Sequence, residues 1–165
     1  NIFSTNRSLT YLLAPDEIVL GSMKSSAVLL AGDADLSNKK RVYPRKQLIK
    51  SLFMNLSISI GALVIMPLNP RNMKYVLESY KWSLQSAYFF LRGTTIPLKQ
   101  IIMFFIKLGA SPIYNRQFLA YRQNLCVDSV FAVKTFFQIN KIYHIAMKQN
   151  KVKNWLDKLW SIFGV

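Results

Sequence analysis

The chain has 165 residues, of which 52% are apolar, and carries 22 Lys and Arg against 7 Asp and Glu, a net charge of +15. At this length a single domain that buries roughly two-thirds of its unfolded surface is expected, which argues against intrinsic disorder. One cysteine, Cys126, and one histidine, His144, exclude an internal disulfide framework and a Cys/His zinc site.

Residues 1–13 lack the basic, apolar and small-residue order of a secretory leader, so a cytoplasmic location is expected. Short apolar runs follow at Leu9–Ala14, Ile18–Leu20 and Ala27–Ala31, separated by Pro15-Asp16 and Gly21-Ser22 and closed by Gly32-Asp33. Runs this short between turn residues fit a small N-terminal β element, either two or three strands or strands around a short helix. On a strand, Asp33 and Asp35 would point to one face, where two carboxylates can hold Mg²⁺; a polar turn closing the strand is the plainer reading. Composition changes after Leu36, where Ser37-Asn38-Lys39-Lys40-Arg41 leads to Pro44, a residue suited to the first position of a helix. The expected division is a short β-containing segment, 1–36, and a helical domain, 44–165. Only Arg7 and Lys24 precede Leu36, so 20 cations follow it against three acids, Glu78, Asp128 and Asp157. Such an excess either favours an anionic partner (nucleic acid, nucleotide phosphate or an acidic membrane face) or is simply solvated.

From Arg45 to Met66, Leu48, Ile49, Leu52, Phe53, Leu56, Ile60, Leu63 and Val64 recur at steps of mostly three and four, which predicts a helix burying that stripe. Leu52–Leu68 is uncharged, but at 17 residues interrupted by Asn55, Ser57, Ser59, Gly61 and Pro67 it suits a buried central helix better than a membrane span. Asn69 as cap, Pro70 in the first turn and Gly93 as stop delimit a second helix. Its apolar face holds Met73, Val76, Leu77, Tyr80, Leu84, Ala87, Tyr88 and Leu91, while Lys74, Lys81 and Arg92 lie off it near Tyr75 and Trp82. A third helix, Pro97–Leu108, stops at Gly109 and buries Ile101, Ile102 and Phe105. Asn115–Leu125 is expected as a short helix with Phe118 inward and Arg116 and Arg122 outward. Val127–Lys148 follows with Val130, Val133, Phe137, Ile142 and Ile145 inward. A separate last helix, Val152–Phe163, sets Trp155 and Trp160 opposite Lys151, Lys153 and Lys158; it can lie on anionic lipid or dock on its own bundle, and docking is expected. The fold class is therefore mainly α, an irregular bundle of five or six helices with a small N-terminal β element.

Catalytic motifs are sparse. The six glycines are dispersed, so no phosphate-cradling loop can be written, and His144 has no nucleophile beside it. Ile18-Val19-Leu20-Gly21-Ser22 followed by Asp33-Ala34-Asp35-Leu36 resembles the Gly-Ser and Asp-x-Asp signature of polymerase β-type nucleotidyltransferases. On that placement Gly21 and Ser22 would hold nucleotide phosphates, and Asp33 and Asp35 would hold metal. A second placement covers residues 10–150. There Ala14-Pro15-Asp16-Glu17, the run from Ser25 to Asp33, the segment Met73–Tyr88 with its Lys81-Trp82 pair, and Arg92-Gly93 resemble the helical region C-terminal to the family's catalytic domain. The second placement fits better, because Ala27–Ala31 is apolar and no later strand supplies a third carboxylate.

That resemblance implies the helical, substrate-positioning portion of a nucleotidyltransferase-like protein, acting with an upstream catalytic region on a nucleotide and an acceptor. It implies an incomplete catalytic site in this chain, Mg²⁺ only where the site is complete, and phosphate or acceptor contacts from Lys74, Lys81 and Arg92. The alternative, drawn from composition, is a small basic helical module that binds RNA or an anionic membrane surface. An integral membrane protein built on residues 48–68 is the least favoured reading.

Overall fold

A computed structural model describes Ile18 and residues 45–65, 74–124 and 128–163. Five helices lie in these residues: α1 (Arg45–Ile65), α2 (Lys74–Arg92), α3 (Leu98–Lys107), α4 (Pro112–Asn124) and α5 (Ser129–Phe163). The mainly α class expected from sequence is what the structure shows. The expected β element lies outside the described residues, apart from Ile18, which has a helical backbone and is fully buried in the core.

The bundle is organised around α2. It packs against every other helix, and α1, α2 and α5 each contact the other two. Val76, Leu77, Tyr80, Leu84, Ala87 and Tyr88 are buried as their spacing predicts, and Ser79, Ser83 and Ser86 are buried beside them. Serines are tolerated there because Ser79 donates its hydroxyl to the Val76 carbonyl (2.8 Å) and Ser83 to the Ser79 carbonyl (2.7 Å), leaving short side chains that let a neighbouring backbone approach. The helix stops where expected: Gly93 takes φ +68° and its N–H bonds the Phe89 carbonyl at 2.7 Å. Gly109 ends the next helix in the same way, at φ +101°.

An aromatic cluster ties α4 to α2 and α5. Tyr80 meets Tyr114 and Phe118 edge to face at 5.0 and 4.9 Å, and Tyr114 stacks on Phe131 at 4.7 Å. Each buried phenol has a polar partner: Tyr80 donates to Asn115 Oδ1 (3.1 Å), and Tyr114 shares a bond with Thr135 (2.7 Å). Burial pushes both phenols well above the ordinary tyrosine range, so they stay neutral.

Three expectations are corrected. The helix α1 buries Leu48, Ser51, Asn55, Ser59 and Ala62, whereas Ile49, Phe53, Ile60 and Val64, expected inward, are exposed. The reason is Tyr143 of α5: its fully buried hydroxyl accepts from Asn55 Nδ2 at 2.8 Å and shares a bond with Ser51 at 2.7 Å. A buried tyrosine hydroxyl costs free energy unless paired, and Ser51 and Asn55 on this face of α1 supply the partners. Similarly, α5 buries Phe131, Ala132, Thr135, Ile139, Ile142 and Tyr143, leaving Val130, Val133 and Phe137 exposed. The two helices expected between residues 127 and 163 are one, because the junction Lys148-Gln149-Asn150-Lys151 contains no Gly or Pro to stop the first.

These contacts also fix direction. Ser51 and Asn55 lie against Tyr143, while Ala62 packs with Val76 and Ala132, so α1 and α5 run antiparallel. Replacing Tyr143 with Phe leaves the Ser51 hydroxyl and the Asn55 amide without this buried partner, and should lower unfolding stability by about 1–3 kcal/mol. The control Ser57→Ala removes an exposed hydroxyl bonded only to its own helix and should cost under about 0.5 kcal/mol. Thermal or denaturant unfolding of the two variants checks the difference.

Candidate functional site

The outer faces of α1 and α5 form the most unusual surface among the described residues. On α1, Phe53 is 64% and Val64 70% exposed, with Ile49, Ile60 and Ile65 also exposed along the same helix. By length and composition α1 is long and apolar enough to cross a membrane, yet only 33% of that stretch is buried in the bundle. Polar residues share its inner face: Ser51, Asn55 and Ser59, one turn apart, are buried with Leu48 and Ala62, while Ile49, Phe53, Ile60, Val64 and Ile65 are exposed. Asn55 Oδ1 and Ser59 Oγ are buried with no hydrogen-bond partner among the described residues.

The α5 surface is divided along its length. Val130, Val133 and Phe137 share one exposed stripe, which continues into Lys141, His144, Lys148 and Lys151. Because the two helices are antiparallel, this basic half lies beside the start of α1, where Arg45, Lys46 and Lys50 are also exposed. The apolar half of α5 lies beside Ile60, Val64 and Ile65. One end of the helix pair is therefore basic, with Ile49 and Phe53 exposed beside its cations, and the other is mostly apolar, with Lys134 as the exposed cation inside the apolar half. Of the acids on described helices and turns, Glu78 and Asp128 belong to the apolar end, and Asp157 lies six residues beyond Lys151.

The cations singled out from sequence are not brought together. Lys74 and Arg92 open and close α2, about 27 Å apart along its axis, with Lys81 between them. Each lies against an aromatic ring: Lys74 over Tyr75 at 5.1 Å, Lys81 over Trp82 at 5.9 Å and Arg92 over Phe104 at 5.2 Å. Lys81 is also ion-paired with Glu78, whose other oxygen lies 3.5 Å from Arg122. The expected outward position holds for Arg116, which is exposed, while Arg122 is half-buried in this pairing. Gly21, Ser22, Asp33 and Asp35 lie outside the described residues, as do Cys126 and the side chains of Trp155 and Trp160. Among the described residues no group of three or more His, Cys, Asp or Glu could hold a metal ion.

Sequence reasoning missed the outer apolar surface. Its signal was present in the polar residues rather than the apolar ones: Ser51, Asn55 and Ser59 recur at intervals of four, marking a polar row on a helix whose apolar residues surround it on every side. Compared with known proteins, the chain matches no family model, no curated protein and no solved structure.

The apolar end of α5 is held by a cap. Asp128 accepts the Phe131 N–H at 2.6 Å and the Tyr121 hydroxyl, and its carboxyl is held below the usual carboxylate range, first by Tyr121 and then by that N–H. A lowered folded-state pKa gives stability that is present above the unfolded value of about 3.9 and is lost as pH falls through the folded value. Asp128→Ala should therefore cost about 1 kcal/mol at neutral pH, with the gap from wild type closing as the medium is acidified below that range. Unfolding midpoints measured across acid pH check both parts.

Proposed function

We propose that this chain is a basic helical module that docks on an anionic membrane surface through the outer faces of α1 and α5. The observation that carries the reading is the set of large apolar side chains, Ile49, Phe53, Ile60, Val64 and Ile65, left exposed on α1. In water, each large apolar side chain left exposed forgoes roughly 1.5–3 kcal/mol of burial, and clustering on one helix makes it a surface feature rather than scattered exposure. Against hydrocarbon the same side chains are on the favourable side. A helix pair lying along the interface suits this surface, where phosphates lie above acyl chains: the exposed apolar side chains of α1 and α5 rest on the upper acyl region, and Arg45, Lys46, Lys50, Lys74, Lys141, Lys148 and Lys151 reach headgroup level.

Charge alone would suit RNA equally well, but phosphate-backbone binding has no use for exposed Val64, Val130 and Phe137. The nucleotide-handling role implied by the family resemblance would need cations gathered on one phosphate, and Lys74, Lys81 and Arg92 are spread along α2 with partners of their own. The module is proposed to act at a cytoplasmic leaflet, the more anionic side of cellular membranes.

Vesicle flotation of the full chain tests this. Binding is expected to vesicles containing phosphatidylglycerol, to weaken with added salt, and to be poor on phosphatidylcholine alone. Lys141→Gln and Lys148→Gln should each weaken it about fivefold, the equivalent of about 1 kcal/mol per surface cation. Val64→Gln and Phe137→Gln should weaken it without lowering unfolding stability, since both side chains are largely exposed in the free protein. Equal affinity for both lipids, or tight binding to single-stranded RNA that vesicles do not compete away, would sink the reading.

A further inference from the structure

We propose that the cleft between α1 and the start of α2 seats one acyl chain of an anionic phospholipid, with the phosphate held beside Lys74. The proposal rests on the membrane reading and identifies the individual lipid contact within it. The cleft has a volume of about 280 Å³ and is lined by Ile58, Gly61, Ala62 and Ile65 of α1 and by Tyr75 of α2. Its side chains are hydrocarbon except for the Tyr75 hydroxyl, so it offers no set of donors and acceptors to read a base or sugar. It is also at the lower end of the size range for small-molecule pockets, which suits a stretch of chain better than a nucleotide.

Gly61 carries the argument furthest. A Cβ placed there would meet nothing within 4 Å, and the residue has ordinary helical backbone, so neither close packing nor an unusual φ requires glycine. Within a helix, glycine is poorer than alanine. What glycine does at this position is keep the floor of the cleft open. At the rim, Lys74 is exposed and lies over the Tyr75 ring, and no carboxylate among the described residues is ion-paired with it. A ring lying along a chain with an ammonium at its edge is the arrangement in which an amphipathic ligand places its tail on the ring and its phosphate on the cation. Ile65 and the exposed Val64 extend the apolar surface next to the cleft. A second copy of the chain is the weaker occupant, because two molecules of charge +15 repel each other while an anionic lipid is drawn in.

The test titrates the full chain with lysophosphatidylglycerol, a single-chain lipid, kept below its micelle concentration, and follows the methyl NMR signals of Ile58, Ala62 and Ile65. Vesicle flotation is run on the same samples. Saturable one-site shifts of those methyls are expected. Gly61→Leu, whose Cβ meets nothing within 4 Å and whose branched end would occupy the cleft, should weaken lysolipid binding about tenfold or more while helix content and vesicle binding are retained. Lys74→Gln should reduce the preference for lysophosphatidylglycerol over lysophosphatidylcholine about fivefold. The proposal is overturned if wild-type protein binds vesicles but shows no saturable methyl shift, if Gly61→Leu binds lysolipid as wild type does, or if the cleft methyls contact the chain's own segments and stay there throughout the titration. Lysolipid binding at the cleft with no binding to vesicles would leave the cleft standing and remove the membrane reading.

Discussion

The hydroxyl of Tyr143 decides which side of α1 faces the bundle. It is fully buried and lies within hydrogen-bonding distance of Ser51 and Asn55, two residues a single turn apart on a helix otherwise dominated by Leu, Ile, Val, Phe and Met. Rotating α1 by a third of a turn would bury more hydrocarbon, but it would strand a buried hydroxyl, a cost of about 1–3 kcal/mol before the loss of the Asn55 bond is counted. Once the polar face is fixed inward, the outward face is fixed too, and Phe53 and Val64 have nowhere else to go. The small residues of α2 that lie nearby, Ser79 and Ser83, satisfy their hydroxyls on their own helix and so make no competing demand on α1. The surface on which the functional reading depends is thus a consequence of one buried polar contact.

How legible each element was in the sequence depended on whether apolar residues occupied one face of it or all faces. In α2 the apolar residues alternate with Glu78, Lys81 and Gln85, so Val76, Tyr80, Leu84 and Ala87 mark the inward face, and Gly93 marks the end. Likewise, Ile101, Ile102 and Phe105 stood out between Lys99 and Lys107. In α1 a stripe of apolar residues can be drawn in several directions, and periodicity could not choose among them. The choice was made by Tyr143, 88 positions beyond Asn55 in the chain, which no local pattern can supply. In α5 the valines and Phe137 competed with Phe131, Thr135 and Tyr143 for the inward side, and the stacking of Tyr114 on Phe131 with the Tyr114–Thr135 bond settled it. The basic half of the candidate surface was visible as an excess of lysine; its alignment with the start of α1 was not, because it needs the antiparallel pairing.

The distribution of cations also separates structural charges from available ones. Glu78 gathers Lys81 and Arg122 on the side of α2, and half-buried pairs of this kind restrain side chains more than they stabilise a fold. Arg92 covers the Phe104 ring at the other end of the helix. By contrast Arg45, Lys46, Lys50, Lys141, Lys148 and Lys151 are exposed on two neighbouring helices. A charge excess read from composition counts both kinds alike, whereas an acid beside a cation cancels part of the field that an outside anion meets.

Exposed hydrocarbon and high positive charge work on each other. In water, a surface carrying Phe53, Val64, Val130 and Phe137 invites self-association, and the repulsion between molecules of charge +15 opposes it. At an anionic bilayer the same charge is neutralised by the headgroups, so the repulsion that protected the apolar surface becomes the attraction that delivers it, and both effects weaken together as salt rises. Charge placed on the apolar stripe itself would keep the chain soluble but would have to be desolvated on insertion. Placed at the opposite end of the same helices, it protects the stripe at long range and stays hydrated when the stripe is buried, which is a physical reason for the division of α5 between Phe137 and Lys141.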